Sequence, residues 1–298
     1  MESIKVVFVG VQNAGKTTLI NILSKKYSLI SNLTPTKSIQ QETTEIFGVN
    51  IISWDIPGQV QLRETALKGP MLDDASILVF VVDVQDTEQI DPAMEYFDKI
   101  LRKIELEPEA SQERPYIIVF IHKMDPDIQR NVKILKNVRK IQTAVKKIAI
   151  GFEVDFFVTS MFREPTIYLG FSSVFRKVLS LKKTESIKNV LASYSDQLNA
   201  ILIVDKNNFI INHFERDEND LNILQDFIFI LISAYKNALA QNLAPDELKV
   251  PLKELYLLLL PMTLNTNETF VIGSTTDPQI SLLPLKENIR TSLEEILQ

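Results

Sequence analysis

The octapeptide Gly10-Val11-Gln12-Asn13-Ala14-Gly15-Lys16-Thr17 fits the spacing G-x4-G-K-[ST] and is the first part of the chain suited to chemistry. Glycines at both ends of the variable stretch let the backbone wrap an anion. The loop's N–H groups then add to the positive end of the helix expected to follow. The reading is a phosphate-binding loop to which Gly10, Asn13, Ala14, Gly15 and Thr18 contribute contacts. Lys16 would neutralise the terminal phosphates, at once a binding and a catalytic role, and the Thr17 hydroxyl would hold Mg²⁺. With only 8 glycines in the chain, a chance match is disfavoured.

A second cluster, Trp54-Asp55-Ile56-Pro57-Gly58-Gln59, closes a strand-like run. Asp55 could reach Mg²⁺ through a water, the Gly58 N–H could touch a γ-phosphate, and Gln59 could orient an attacking water as the catalytic residue. Alone, Asp-x-x-Gly is an ordinary strand-end turn, so its weight comes from the loop upstream. Between the two, Leu33-Thr34-Pro35-Thr36 offers a threonine to Mg²⁺. Thr34 and Thr36 both qualify, and the distance to Asp55 favours Thr36. The third cluster, His122-Lys123-Met124-Asp125, ends a further apolar run. The Asp125 carboxylate can accept from the N1–H and 2-amino group of guanine, a donor pair that adenine lacks, and the wrong base would leave these groups unpaired. His122 and Lys123 belong to the same base site. After the last apolar run, Thr159-Ser160-Met161 could turn backbone N–H groups of Ser160 and Met161 toward the guanine oxygen. The expected ligand is GTP or GDP with Mg²⁺.

Elements of the right kind surround these clusters. Ile4–Val9, Val49–Trp54, Ser76–Asp83, Tyr116–His122 and Val154–Thr159 are short, apolar and rich in β-branched residues. Runs that are apolar throughout suit strands covered on both faces, as in a parallel sheet. Helical patterns at Lys16–Lys25, Ala93–Lys103, Val132–Lys147 and Ile167–Leu179 separate them, which predicts an α/β domain over residues 1–182, doubly wound with helices on both faces. Leu179–Glu185 is polar and lysine-rich and reads as a junction. Beyond it, residues 183–298 predict an α+β domain: a helix at Glu185–Leu198, strands at Ala200–Asp205 and Phe209–Phe214 joined through Asn207-Asn208, a long helix at Asn219–Ala240, strands at Leu252–Thr263 and Glu268–Ser274, and a last helix at Leu285–Leu297.

The chain of 298 residues has 45% hydrophobic and 23% charged residues, enough for a substantial core and unlike a disordered chain. Its net charge of −6 gives no basic footprint for nucleic acid, which is not an expected partner. Absence of cysteine removes disulfides, thiolate nucleophiles, zinc–thiolate sites and prenyl or palmitoyl anchors. Met1-Glu2-Ser3 lacks the glycine for myristoylation, no signal-peptide pattern precedes the first strand, and the longest uninterrupted apolar runs are shorter than a membrane helix. The expectation is a cytoplasmic protein with no direct membrane insertion, recruited to a membrane surface only through partners. Lys133, Lys136, Arg139, Lys140, Lys146 and Lys147 lie on one predicted helix. Docking on anionic lipid is one use for them, and an ordinary solvated face is the better reading.

Taken in order, these motifs resemble a Ras-like small GTPase, and several details are similar to the Rag (Gtr) family. Members of that family carry His where most GTPases carry Asn before Lys-x-Asp, as at His122. Phe157-Val158-Thr159-Ser160 with Tyr168 and Ser172-Ser173 looks like their guanine loop and closing helix. The order of elements in residues 183–298, with Thr275-Thr276-Asp277-Pro278 leading to Asn288-Ile289-Arg290, is similar to their C-terminal roadblock (longin-like) domain. The resemblance implies a GTP-binding switch with slow hydrolysis, aided by an activating protein because no arginine is evidently placed in cis. Arg63 is the one nearby candidate and reads better as a solvated residue. It also implies pairing with a second Rag-like subunit through the roadblock domain, and nucleotide-dependent contacts with effectors and a roadblock-containing scaffold. The family has two complementary classes. His122-Lys123-Met124-Asp125 looks like one of them, and Pro57-Gly58-Gln59 with Val82-Asp83-Val84-Gln85-Asp86 looks like the other, which leaves homodimer and heterodimer both open. The alternatives are a constitutive dimerisation scaffold with structural nucleotide and, more remotely, a small-molecule kinase, against which Asp125 and Gln59 argue.

Overall fold

The computed structural model describes residues 3–32, 40–46, 49–56, 69–106, 114–178, 181–264 and 267–297. The chain forms two compact units, Met1–Glu45 with Val49–Gly170 and Ile46–Gly48 with Phe171–Gln298.

The first unit is built on strands β1 (Ser3–Val9), β2 (Gln40–Ile46), β3 (Val49–Asp55), β4 (Ile77–Asp83), β5 (Tyr116–His122) and β6 (Val154–Val158), in the order β2-β3-β1-β4-β5-β6. The pairs β1–β3, β1–β4, β4–β5 and β5–β6 are all parallel. The side chains of β5 are buried throughout, and so are those of β4 up to Asp83, as their unbroken apolar sequences require when helices cover both faces. Helices α1 (Lys16–Leu23), α2 (Thr87–Leu106), α3 (Val132–Ile148) and α4 (Glu164–Val178) supply that cover. Phe80 of β4 stacks on Phe97 of α2, ring centroids 4.3 Å apart. Phe120 of β5 lies instead against Gly170 of α4, where an added Cβ would meet its ring at 2.6 Å. Phe120 pairs in register with Val81, so Phe80 and Phe120 point to opposite faces, and α2 and α4 sit on opposite sides of the sheet. Tyr168 of α4 donates its buried hydroxyl to Ile22 O, tying α4 to α1.

The sequence reading passed over β2, whose residues Gln-Gln-Glu-Thr-Thr-Glu-Ile are polar. An edge strand has one neighbour and needs no apolar run, and threonine favours extended backbone.

The second unit contains α5 (Leu181–Ala192), β7 (Ala200–Asp205), β8 (Ile210–Glu215), α6 (Glu218–Ala240), β9 (Leu248–Pro251), β10 (Tyr256–Leu264), β11 (Asn267–Thr275) and α7 (Lys286–Leu297). Its antiparallel sheet runs β8-β7-β11-β10-β9. Helices α5 and α7 close one face: Ile187, Leu191 and Ile289 pack with Ile201, Ile203, Leu258, Leu260 and Val271. Helix α6 closes the other, Tyr235 meeting the Phe270 ring edge-on at 6.1 Å. The β7–β8 hairpin turns at Asn207-Asn208 as expected. Asp205 Oδ1 accepts from Asn207 N and Phe209 N, and Asn208 takes φ 73°.

Two features go beyond the sequence reading. The lysine-rich stretch read as a junction is the first turn of α5 from Leu181 on, because Leu181-Lys182-Lys183-Thr184 contains no helix breaker. Strand β9 was missed, being four residues long and ending in Pro251. By length and composition alone, Asn219–Ala240 is long and apolar enough to cross a membrane. In this fold Leu224, Ile228, Leu231 and Tyr235 of that stretch are buried on the sheet side.

Candidate nucleotide-binding site

In parallel sheets ligands gather at the carboxyl ends of the strands, where the strand order reverses. Here β1, which ends at Val9, lies between β3, which ends at Asp55, and β4, which ends at Asp83; β5 ends at His122. The loop at Gly10–Thr17, Asp55 and His122–Asp125 therefore lie at the carboxyl end of the sheet.

The loop from Gly10 to Gly15 joins β1 to α1 through left-handed turns, with φ 151° at Gly10, 61° at Asn13 and 100° at Gly15. Glycine is required at both ends. A Cβ on Gly10 would stand 2.3 Å from Val81 O, and one on Gly15 would stand 2.4 Å from His122 Cδ2. Ala14 is fully buried and its N–H reaches Val11 O at 3.4 Å. Lys16 is 6% exposed, and its Nζ donates to Gly10 O at 3.0 Å and Val11 O at 3.1 Å, so the ammonium lies across its own loop. Thr17 Oγ1 donates to Asp55 Oδ2 at 2.6 Å. A hydroxyl and a carboxylate this close are hard oxygen donors of the kind Mg²⁺ takes alongside phosphate and water. Thr18 is buried. Thr34, Thr36, Pro57, Gly58, Gln59 and Arg63 lie outside the described residues.

On the base side, Lys123 adopts φ 63° and turns the chain out of β5. Its Nζ donates to Asp83 Oδ2 at 2.7 Å. The Asp125 carboxylate accepts from Ser160 Oγ at 2.7 Å on Oδ1 and from Gln85 Nε2 at 3.0 Å on Oδ2. Each oxygen has two lone pairs, so one acceptor position remains on each, which matches the two donors of guanine. Ser160 is bonded through both its side chain and its backbone. Its hydroxyl holds Asp125, while its N–H points to Thr166 Oγ1 at 3.3 Å. Met161, 37% exposed, follows directly. Gln85 was not among the expected site residues; its stretch had been read only as a mark of class.

His122 belongs to both halves of the site. Its ring packs on Gly15 of the phosphate loop, and Nδ1 lies 3.0 Å from Thr159 Oγ1 of the base loop. The side chain is 1% exposed. Burial, helped by the charge of Lys123 and opposed by Asp125, lowers its pKa to about 4, so the ring is neutral near pH 7. The approach to residue 33 is anchored as well. Tyr27 donates its hydroxyl to Glu164 Oε2 at 3.0 Å, and Ser24 Oγ and Lys26 Nζ hold Glu42 of β2 at 3.0 and 2.8 Å.

Among solved structures, the chain is similar to the Arl6 BBS3 small GTPase from Trypanosoma brucei with bound nucleotide analogue GppNp. That structure matches with 21% identity over 59% of this chain and 98% of its own length, at a TM-score of 0.49. The profile of the Gtr1/RagA G protein conserved region matches residues 5–234, more than three quarters of the chain. That span holds the loop at Gly10–Thr17, Asp55, the base motif ending in Asp125 and most of α6, and it shows that the chain belongs to the Gtr1/RagA family of GTP-binding small GTPases.

Proposed function

We propose that this GTPase is a nucleotide-dependent switch in which Asp125 selects guanine and Lys16, Thr17 and Asp55 handle the phosphate end. The observation that carries the reading is the pairing, at the carboxyl end of one sheet, of a lysine-bridged phosphate loop with a carboxylate that has one acceptor position left on each oxygen. Thr17 and Asp55, with Thr36, would hold Mg²⁺, whose contribution is to neutralise charge on the phosphates. Gly58 and Gln59 would sense the γ-phosphate and position water. Hydrolysis is slow without an activating protein, since an arginine supplied in trans is typically worth ~10³–10⁵ in rate. Loops ordered by GTP would present a surface to effectors that the GDP form lacks.

The second unit is proposed as a roadblock-type module that pairs with a second Rag-like subunit, either another copy of this chain or a relative. Support comes from α6. Beside its sheet-facing residues, Ile223 and Phe227 are half-buried and Ile230 is 60% exposed, apolar positions at i, i+4 and i+7. Pairing of this kind would bring the GTPase to a scaffold, and through it to a membrane surface, from the cytoplasm.

Calorimetry in the presence of Mg²⁺ tests the nucleotide reading: GDP and a nonhydrolysable GTP analogue should bind at least ~100-fold more tightly than ADP. Equal affinities would overturn it. For the switch, partner affinity should differ between the two guanine nucleotides, and equal affinity would leave a constitutive scaffold.

A further inference from the structure

The loop that follows β4 grips the base motif at four points. Val84 N donates to His122 O at 3.0 Å, and Lys123 Nζ reaches back to Asp83. The Gln85 carboxamide nitrogen donates both to Lys123 O at 2.8 Å and to Asp125 Oδ2 at 3.0 Å. The loop is itself fixed. Asp83 Oδ1 accepts from Gln85 N at 2.9 Å, and buried Asn137 of α3 donates to Val84 O at 2.9 Å.

We propose that Gln85 is a positioning residue that sets specificity for guanine, by holding the Asp125 carboxylate in the plane its two adjacent donors require. This rests on the reading of Asp125 given above. The last torsion of an aspartate is broad and roughly two-fold. A carboxylate held by Ser160 alone would pivot about Oδ1, whereas Gln85 on Oδ2 fixes both oxygens. Guanine presents N1–H and a 2-amino group side by side, and both contacts need that plane. Hypoxanthine, which has N1–H and no 2-amino group, makes a single contact that tolerates rotation. Gln85 therefore acts chiefly on the advantage of guanine over hypoxanthine.

The test measures GDP, IDP and ADP affinities of the full chain, its Gln85→Ala and Gln85→Glu variants, and checks folding by thermal unfolding without nucleotide. Gln85 is exposed, and neither variant should lose its transition. Gln85→Ala is expected to lower the GDP-to-IDP affinity ratio at least ~3-fold, because a charge-assisted contact is weakened. Gln85→Glu conserves size but sets a second carboxylate beside Asp125, and should lower affinity for both nucleotides by ~10-fold or more. Wild-type ratio in Gln85→Ala, or wild-type affinity in Gln85→Glu, would overturn the assignment and leave Asp125 as the base reader. A wild-type chain that fails to prefer GDP over ADP would sink the Asp125 reading itself, and this inference with it.

Discussion

His122 makes a quantitative claim about acid. Folding moves its pKa from 6.5 down to about 4, mainly through burial, so the unfolded chain binds the proton more tightly. Stability then rises with pH wherever the unfolded state holds more protons. The contribution is fully present above pH 6.5 and is lost as pH falls toward 4. Integrating between those values gives a loss of about 2 kcal/mol by pH 5 and about 3 kcal/mol by pH 4. The assay is urea denaturation followed by the fluorescence of Trp54, the chain's single tryptophan, which lies on β3 of the same unit. The chain has one other histidine, His213, so the measurement is made in a His213→Gln background. Carboxylates titrate over part of the same range, and the informative quantity is the difference from His122→Asn. That variant lacks the imidazole proton, and its profile should be flatter by about 3 kcal/mol between pH 7.5 and 4. Parallel profiles would refute the claim that the ring is buried neutral between Gly15 and Thr159.

Gly15→Ala puts a methyl group against the His122 ring at φ 100° and should cost about 2–3 kcal/mol of stability by the same denaturation assay, together with most of the affinity for GDP. Affinity like that of the wild type would show that the loop relaxes freely. Asp125→Asn should move base preference from guanine to xanthine, whose 2-oxo group can accept from the amide, as competition binding would show. Ile230→Arg on α6 should leave GDP affinity unchanged and lower the mass of the assembly in size-exclusion light scattering; an unchanged mass would move the interface elsewhere.

Much of the first unit was legible because its chemistry depends on spacing along the chain. Gly10–Thr17 and the turn at Lys123 each follow a strand made recognisable by burial on both faces. The polar strand β2 carried no such mark. Neither did the lysines that open α5, where charge suggested a break that helix propensity did not make. In the site, a side chain's second partner was hidden from the sequence. The place of His122 before Lys-x-Asp marked it as part of the base motif, but its packing on Gly15 needs β1 and β5 to flank β4 in one sheet. Gln85 lies 40 residues from Asp125, and only the parallel register of β4 and β5, which sets Asp83 opposite His122, brings the two together.

The posture of Lys16 bears on how fast the site can fill. A lysine free in solvent carries ~2 kcal/mol of rotamer entropy, most of which it would surrender on gripping a phosphate. Here the ammonium is already latched to Gly10 O and Val11 O, and that ordering is charged to folding rather than to capture. On the proposed reading, an incoming polyphosphate would meet a cation that is already in place, and the lysine would add no conformational search of its own to the encounter.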